Sequence, residues 1–232
     1  MTIVLFDIDG TLIRTGRAGS RAMDRAFEDL FGISKAFDGI QMAGRTDKWI
    51  LEDAAARSGV SLTAERFQRF RDRYFECLLE ALTHPGPHKG ILPGVRPLLD
   101  ALVAPRLRDN VFLALLTGNC EEGARIKLEH FDLWRYFRCG AYGDDVHDRN
   151  ELFAVAMSRV HACGGPAARP RDVIVVGDTP LDVACAAAAG ARSVAVATGP
   201  SDADALRKSG AEVVFDDLSD TPAFLRLIEA AV

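Results

Sequence analysis

Cysteine is scarce in this sequence. Only Cys77, Cys120, Cys139, Cys163 and Cys185 are present, and no two of them form a CxxC pair. An odd, dispersed set of thiols excludes a disulfide framework and a cysteine zinc site, and reads as small apolar side chains in a reducing compartment. Long hydrophobic runs are missing too: none approaches the ~20 apolar residues of a membrane span. The apolar start at Met1–Phe6 meets Asp7 and Asp9 far too early to be the apolar stretch of a secretory signal. Nor is there an excess of basic charge. The chain has 28 Lys and Arg against 33 Asp and Glu, a net charge of −5, so a dedicated nucleic-acid binder is not expected. Internal repeats and low-complexity tracts are absent apart from the short Ala186–Ala189 run. What remains is an ordinary globular composition over 232 residues, 48% of them hydrophobic. That length buries roughly 70–75% of the unfolded surface. The expectation is a cytoplasmic protein, monomer or homodimer, with neither a nucleic-acid nor a membrane partner.

The pattern along the chain is one of short apolar runs alternating with helical periodicity. Ile3–Phe6 ends in Asp-Ile-Asp-Gly, Val111–Leu116 in Thr-Gly-Asn, and Asp172–Val176 in Gly-Asp-Thr-Pro-Leu-Asp. Two further runs, Ser193–Ala197 and Glu212–Phe215, follow. Continuous β-branched and aromatic runs of this length predict strands covered on both faces. Helices are predicted over Pro93–Ala104, Glu121–His130, Asn150–Cys163 and Leu181–Ala189. A last helix is expected after Thr221 as N-cap, with Pro222 in its first turn. The fold class is therefore α/β, with a Rossmann-like three-layer core and a mostly parallel sheet.

One stretch breaks the alternation. Met23, Phe27, Leu30 and Phe31 share one helical face, as do Phe67, Phe70, Tyr74, Cys77 and Ala81, and Thr46–Arg57 also reads as helix. No strand is expected here. The segment exits through the Pro/Gly-rich Thr83–Gly90, where His84 and His88 read as hinge residues. The division expected is a core formed by residues 1–15 and 89–232, with an all-helical cap, residues 16–88, inserted after the first strand.

Ligands of open α/β sheets bind at the carboxyl ends of the strands, near the point where strand order reverses. The first strand ends at Asp7 and Asp9, the second at Thr117 and Asn119, the third at Asp178, with Asp182 four residues on. If those strands are neighbours, up to four carboxylates meet at one edge, where their mutual repulsion calls for protonation or a cation. A hard divalent ion such as Mg²⁺ meets that need and leaves room for a substrate phosphate. Asp7 and Asp9, two apart at a strand end, also suit a carboxylate nucleophile paired with a proton donor and acceptor. Blander readings exist: an Asx-type turn for Asp7–Thr11, a helix cap for Thr117, and a first-turn acid for Asp182.

Asp7-Ile-Asp-Gly-Thr-Leu12, Leu116-Thr-Gly118 and Gly177-Asp-Thr-Pro-Leu-Asp182 resemble, in order and spacing, three of the four motifs of the haloacid dehalogenase-like superfamily. Gly44-Arg-Thr-Asp47 is similar to a cap stretch of its phosphoglycolate phosphatase-like branch, whose cap is small and helical. The resemblance implies a Mg²⁺-dependent phosphomonoester hydrolase acting on a small phosphorylated metabolite through a phospho-aspartate. It makes Asp7 the nucleophile and Asp9 the general acid/base. Thr117 and Gly118 would hold the phosphoryl group, with Asn119 beside them, and Thr11 would orient the first motif at the substrate site. The metal set would be Asp7, the Asp9 carbonyl, Asp178 and, less directly, Asp182. The remaining motif departs from the pattern. The family places a Lys before a helix between the second and last motifs, whereas this chain has Asp148-Arg149-Asn150-Glu151. Arg149 is expected in that role, because a guanidinium can hold a carboxylate and a phosphate oxygen together. Lys127 is the alternative, disfavoured by its mid-helix position. Arg45, then Arg17, are expected to choose the substrate. A phosphosugar mutase of the β-phosphoglucomutase type shares all these motifs. A 2-haloacid dehalogenase, which lacks the second aspartate, fits worse, as does a non-catalytic phosphate binder or signalling domain.

Overall fold

The computed structural model describes residues 1–144 and 146–229. In chain order the elements are β1 (Thr2–Phe6), β2 (Ile13–Arg14), α1 (Ala18–Phe31), α2 (Asp47–Arg57), α3 (Ala64–Thr83), β3 (Gly90–Ile91), α4 (Val95–Leu102), β4 (Val111–Leu116) and α5 (Glu121–His130). They continue with β5 (Gly140–Ala141), α6 (Leu152–Ala162), β6 (Val173–Gly177), α7 (Pro180–Ala189), β7 (Arg192–Val196), α8 (Ala203–Lys208), β8 (Val213–Phe215) and α9 (Thr221–Glu229). Six strands form one parallel sheet in the order β5-β4-β1-β6-β7-β8. β1 lies between β4 and β6, so successive strands are laid down to either side of it.

The continuous apolar runs are explained by the two faces of this sheet. Val4, Phe6, Leu113, Leu115, Ile174 and Val176 pack into one cluster with α4, α5 and α9. Ile3, Leu5, Phe112, Ala114, Leu116, Val173 and Val175 pack into another with α6 and α7. Side chains alternate between faces, and each face buries its own set.

α1, α2 and α3 form a third cluster, centred on Phe27, Phe37, Phe70 and Tyr74. Cys120 and Ile126 of the α5 region belong to it, so the helical segment is seated on the sheet domain. It leaves and returns through an antiparallel ribbon, β2 against β3, with Ile13 opposite Ile91 and Arg14 opposite Gly90. These two-residue strands, and β5, are too short to carry a period and were not expected. The last helix begins at Thr221 itself. Its cap is Asp220, whose carboxylate accepts the Ala223 amide at 2.9 Å, a correction to the expected Thr221 cap. Residues 230–232, the end of the expected core, lie outside the described residues, as does Asp145. Three of the five thiols are buried as anticipated, but Cys163, which terminates α6, is exposed and Cys139 half-buried. No helix among the described residues is long and apolar enough to cross a membrane.

Candidate active site

The register of the three central strands builds the site. Phe6 pairs with Leu115 on one side and Val176 on the other. The next residues on each strand therefore meet at one edge, and the Asp7 amide donates to the Val176 carbonyl at 2.9 Å. Carboxylate oxygens of Asp7, Asp178 and Asp182, all buried, lie within 4.8 Å of one another. Arg149 is buried among them. Its Nη2 lies 3.3 Å from Asp7 Oδ1 and is ion-paired with Asp182 Oδ1, while its Nη1 donates to the Gly44 carbonyl at 3.1 Å. It stands in a turn of 3-10 helix just before α6, where Asp148 caps the Asn150 amide.

Three carboxylates against one guanidinium leave two negative charges uncompensated. Burial, with Asp182 and Asp9 adding to it against Arg149 and the Thr117 hydrogen bond, pushes the Asp7 carboxyl up to about 6. Burial, then Asp182 and Asp7, hold the Asp178 carboxyl well above its ordinary range. Asp178 also sits in a cradle that only glycine leaves open. A Cβ on Gly199 would lie 1.6 Å from its Oδ2, and one on Gly10 2.3 Å. Crowded buried oxygens with this charge deficit fit a hard divalent cation. Asp182 is the least available of them. Its Oδ2 accepts the Thr179 amide at 3.0 Å and hydroxyl at 2.7 Å, and its Oδ1 is held by Arg149.

The other expected residues are placed as follows. Thr11 is buried behind the cavity wall and donates to Asp178 Oδ1 at 3.2 Å. Asn119 lines the cavity, with its amide bonded to protein partners. Its Nδ2 donates to Asp9 Oδ2 at 2.9 Å and to Thr117 Oγ1 at 2.8 Å, and its Oδ1 accepts from Lys127 at 2.5 Å. Thr117 is fully buried, and its hydroxyl hydrogen-bonds the Asp7 carboxylate. Arg45 and Arg17 are exposed at the cavity mouth, Arg45 stacked 4.5 Å above the Trp49 ring.

Lys127 is the residue undervalued by the sequence reading. The residue is 5% exposed, and its ammonium lies 2.6 Å from Asp9 Oδ2. The available signal was a lone lysine on the face of α5 that also carries Ala124 and Leu128, both fully buried. Asp47 was likewise missed as an individual residue. Its amide donates to the Gly118 carbonyl at 2.7 Å, and its carboxylate accepts the Cys120 amide at 2.9 Å, at the open N-terminus of α5. The Gly44–Asp47 stretch thus lies directly on the Thr117–Cys120 loop. A Cβ on Gly118 would fall 2.0 Å from the Arg45 carbonyl oxygen, so this approach requires glycine. A cavity of about 600 Å³ lies between the two parts, reaching from Asp7 and Asp178 to Met23, Ile50 and Tyr74.

Residues 4–196 match the family model of the haloacid dehalogenase-like hydrolases, and the chain belongs to that family. It is 28% identical over 224 residues to the phosphoglycolate phosphatase of Chromobacterium violaceum, covering 94% of this chain and 93% of that protein. It is 29% identical over 228 residues to that of Rhodospirillum rubrum, covering 93% and 87%. A hydrolase from Pseudomonas syringae superposes with a TM-score of 0.68 at 25% identity, covering 97% and 98% of the two chains. A Thermotoga maritima structure with a provisional β-phosphoglucomutase name gives 0.63 at 24% identity, over 97% and 99%, and shows the shared fold alone. Family, fold and relatives make the protein a phosphatase of this hydrolase family.

Proposed function

We propose that the protein is a Mg²⁺-dependent phosphomonoesterase for a small phosphorylated metabolite of the phosphoglycolate type, working through a phospho-aspartate. The observation that carries this reading is the buried Asp7–Asp178–Asp182 cluster with Arg149 at the carboxyl ends of the central strands. Asp7, the Asp9 carbonyl and Asp178 would hold the ion, with Asp182 fixing Arg149 beside it. When bound, the ion neutralises carboxylate and phosphoryl charge together.

Asp7 attacks phosphorus as the bond to the ester oxygen breaks, and Asp9 gives that oxygen its proton. Asp9 then takes a proton from water, which attacks the phosphorus of the phospho-aspartate and releases phosphate. Arg149 supports the equatorial charge, and Thr117 keeps the Asp7 carboxylate aimed. Asn119 and Lys127 hold Asp9 in place for both proton transfers. Residues 16–88 act as a cap that closes on the core formed by 1–15 and 89–232, excluding bulk water. Arg45 and Arg17 draw dianionic esters to its mouth. The free thiols support a cytoplasmic location.

Turnover of p-nitrophenyl phosphate with and without Mg²⁺, in wild type, Asp7→Asn and Asp9→Asn, tests the scheme. Metal-dependent hydrolysis lost in both variants is expected. Wild-type hydrolysis that ignores Mg²⁺, or an Asp7→Asn enzyme that still turns over, overturns it.

A further inference from the structure

The deep wall of the cavity carries a polar group for which the reaction above has no use. Tyr74, on α3, is 2% exposed, yet its hydroxyl has no hydrogen-bond partner. An orphaned buried hydroxyl is costly, so it calls for a role. Tyr74 lines the same cavity as Asp7 and Asp9, and so does Lys127. The Lys127 ammonium has three hydrogens. Asp9 Oδ2 and Asn119 Oδ1 account for two of them.

Close to both donors is Gly19, in the first turn of α1. A Cβ placed there would sit 3.4 Å from Lys127 Nζ and 3.9 Å from the Tyr74 hydroxyl oxygen. The missing side chain therefore leaves a gap about one atom group wide, flanked by a free ammonium hydrogen and a free hydroxyl hydrogen. Both flanking groups offer donors, so the fitting occupant is an oxygen that only accepts.

We propose that this gap is the subsite for a carboxylate oxygen on the leaving group of the substrate, held by Lys127 and Tyr74 in the space that Gly19 keeps open. The proposal rests on the phosphomonoesterase reading and adds to it the residues that would recognise the carboxylate of the leaving group. Lys127 touches Asp9 and the proposed subsite at once. The carboxylate must then lie close to the ester oxygen that Asp9 protonates, which suits a leaving group of two or three carbons and excludes a hexose. Arg17 and Arg45 at the mouth and Lys127 within favour an anion on entry. Asp9 and Asp47 are the opposing charges: Asp9 is ion-paired with Lys127, and burial raises the Asp47 carboxyl above the usual range, which weakens its opposition.

Two variants separate this role from a structural one. Tyr74→Phe removes only the orphaned oxygen, so its melting temperature should equal or exceed that of wild type. Gly19→Ala fills the gap at ordinary contact distance, and alanine suits a helix better than glycine. Each is assayed with Mg²⁺ on phosphoglycolate and on ethyl phosphate, which differ by a carboxylate against a methyl group. The expected result is a KM for phosphoglycolate raised about five- to tenfold in Tyr74→Phe, as for one lost hydrogen bond. Gly19→Ala should raise it by at least as much, with kcat changing less than KM, and the preference for phosphoglycolate over ethyl phosphate should collapse in both. Unchanged preference in both folded variants overturns the proposal, as does wild-type hydrolysis of the two esters with equal kcat/KM. Wild type that turns over p-nitrophenyl phosphate with Mg²⁺ but hydrolyses neither of these esters also overturns the subsite, whereas failure on p-nitrophenyl phosphate as well overturns the phosphomonoesterase reading beneath it.

Discussion

Replacing Arg149 by methionine tests the electrostatic account of the site most directly. Methionine fills much of the volume of the arginine stem but brings no charge, so the change isolates the guanidinium. At 3.3 Å from Asp7, and with an effective dielectric constant of ~20, the attraction is about 5 kcal/mol for this pair alone. The guanidinium's own cost of burial offsets part of that. The net expectation when one partner of a buried ion pair is removed is a loss of about 3–5 kcal/mol in folding stability. Here three carboxylates would be left facing one another, which places the loss at the upper end. Urea unfolding with EDTA measures it. Repeating the unfolding with Mg²⁺ should return part of the loss, since the ion supplies the missing positive charge. The kcat on p-nitrophenyl phosphate should fall about 10²–10³-fold, as for removal of one preorganised donor. Arg149→Lys keeps the charge but cannot span Asp7, Asp182 and the Gly44 carbonyl together, and should fall between wild type and methionine. A methionine variant less than about 1 kcal/mol weaker than wild type, with kcat within tenfold, would refute the assignment of Arg149 as the charge partner of this cluster.

The remaining expectations follow from the same contacts. Gly118→Ala would drive a methyl group against the Arg45 carbonyl, 2.0 Å away. The Gly44–Asp47 stretch must then lift from the Thr117–Cys120 loop, costing about 1–3 kcal/mol in stability and lowering kcat/KM by more than tenfold, as thermal melts and steady-state assays would show. The dependence on pH has a definite sign. Asp7, raised to about 6, holds its proton better folded than unfolded, so its contribution to metal-free stability is full at low pH and is lost as pH rises through about 6. Mg²⁺ requires the ionised form, so the gap between melting temperatures with and without Mg²⁺ should widen between about pH 5 and 7.5, and a gap that narrows contradicts the ligand set. Asp220→Ala removes the cap of α9 and should cost about 1 kcal/mol in chemical unfolding without altering kcat.

How much was legible beforehand differs between the fold and the site. Apolar runs ending in Asp7, Thr117 and Asp178 marked the strands and the edge where chemistry sits, because strand ends at a sheet's switch point are where an open α/β fold leaves a crevice. The limits of α5, Glu121–His130, and of β4, Val111–Leu116, agree with expectation. The ribbon of β2 and β3 was invisible, since two residues carry no period. The partners of Thr11 and Asn119 were not legible either: Thr11 donates to Asp178, and Asn119, on the cavity wall, bonds Asp9, Thr117 and Lys127.

By itself, then, the sequence determined the alternation of strands and helices and the aspartates that end them, because these depend on residue type and short-range spacing. Only the tertiary structure decided what faces those aspartates. Lys127 lies 118 residues from Asp9, Gly44 lies 105 from Arg149, and Tyr74 and Gly19 meet Lys127 from a separate run of helices. Helical periodicity marks which face of a helix is buried but not which element covers it. The partner of a buried charge or an orphaned hydroxyl is therefore set by packing between elements.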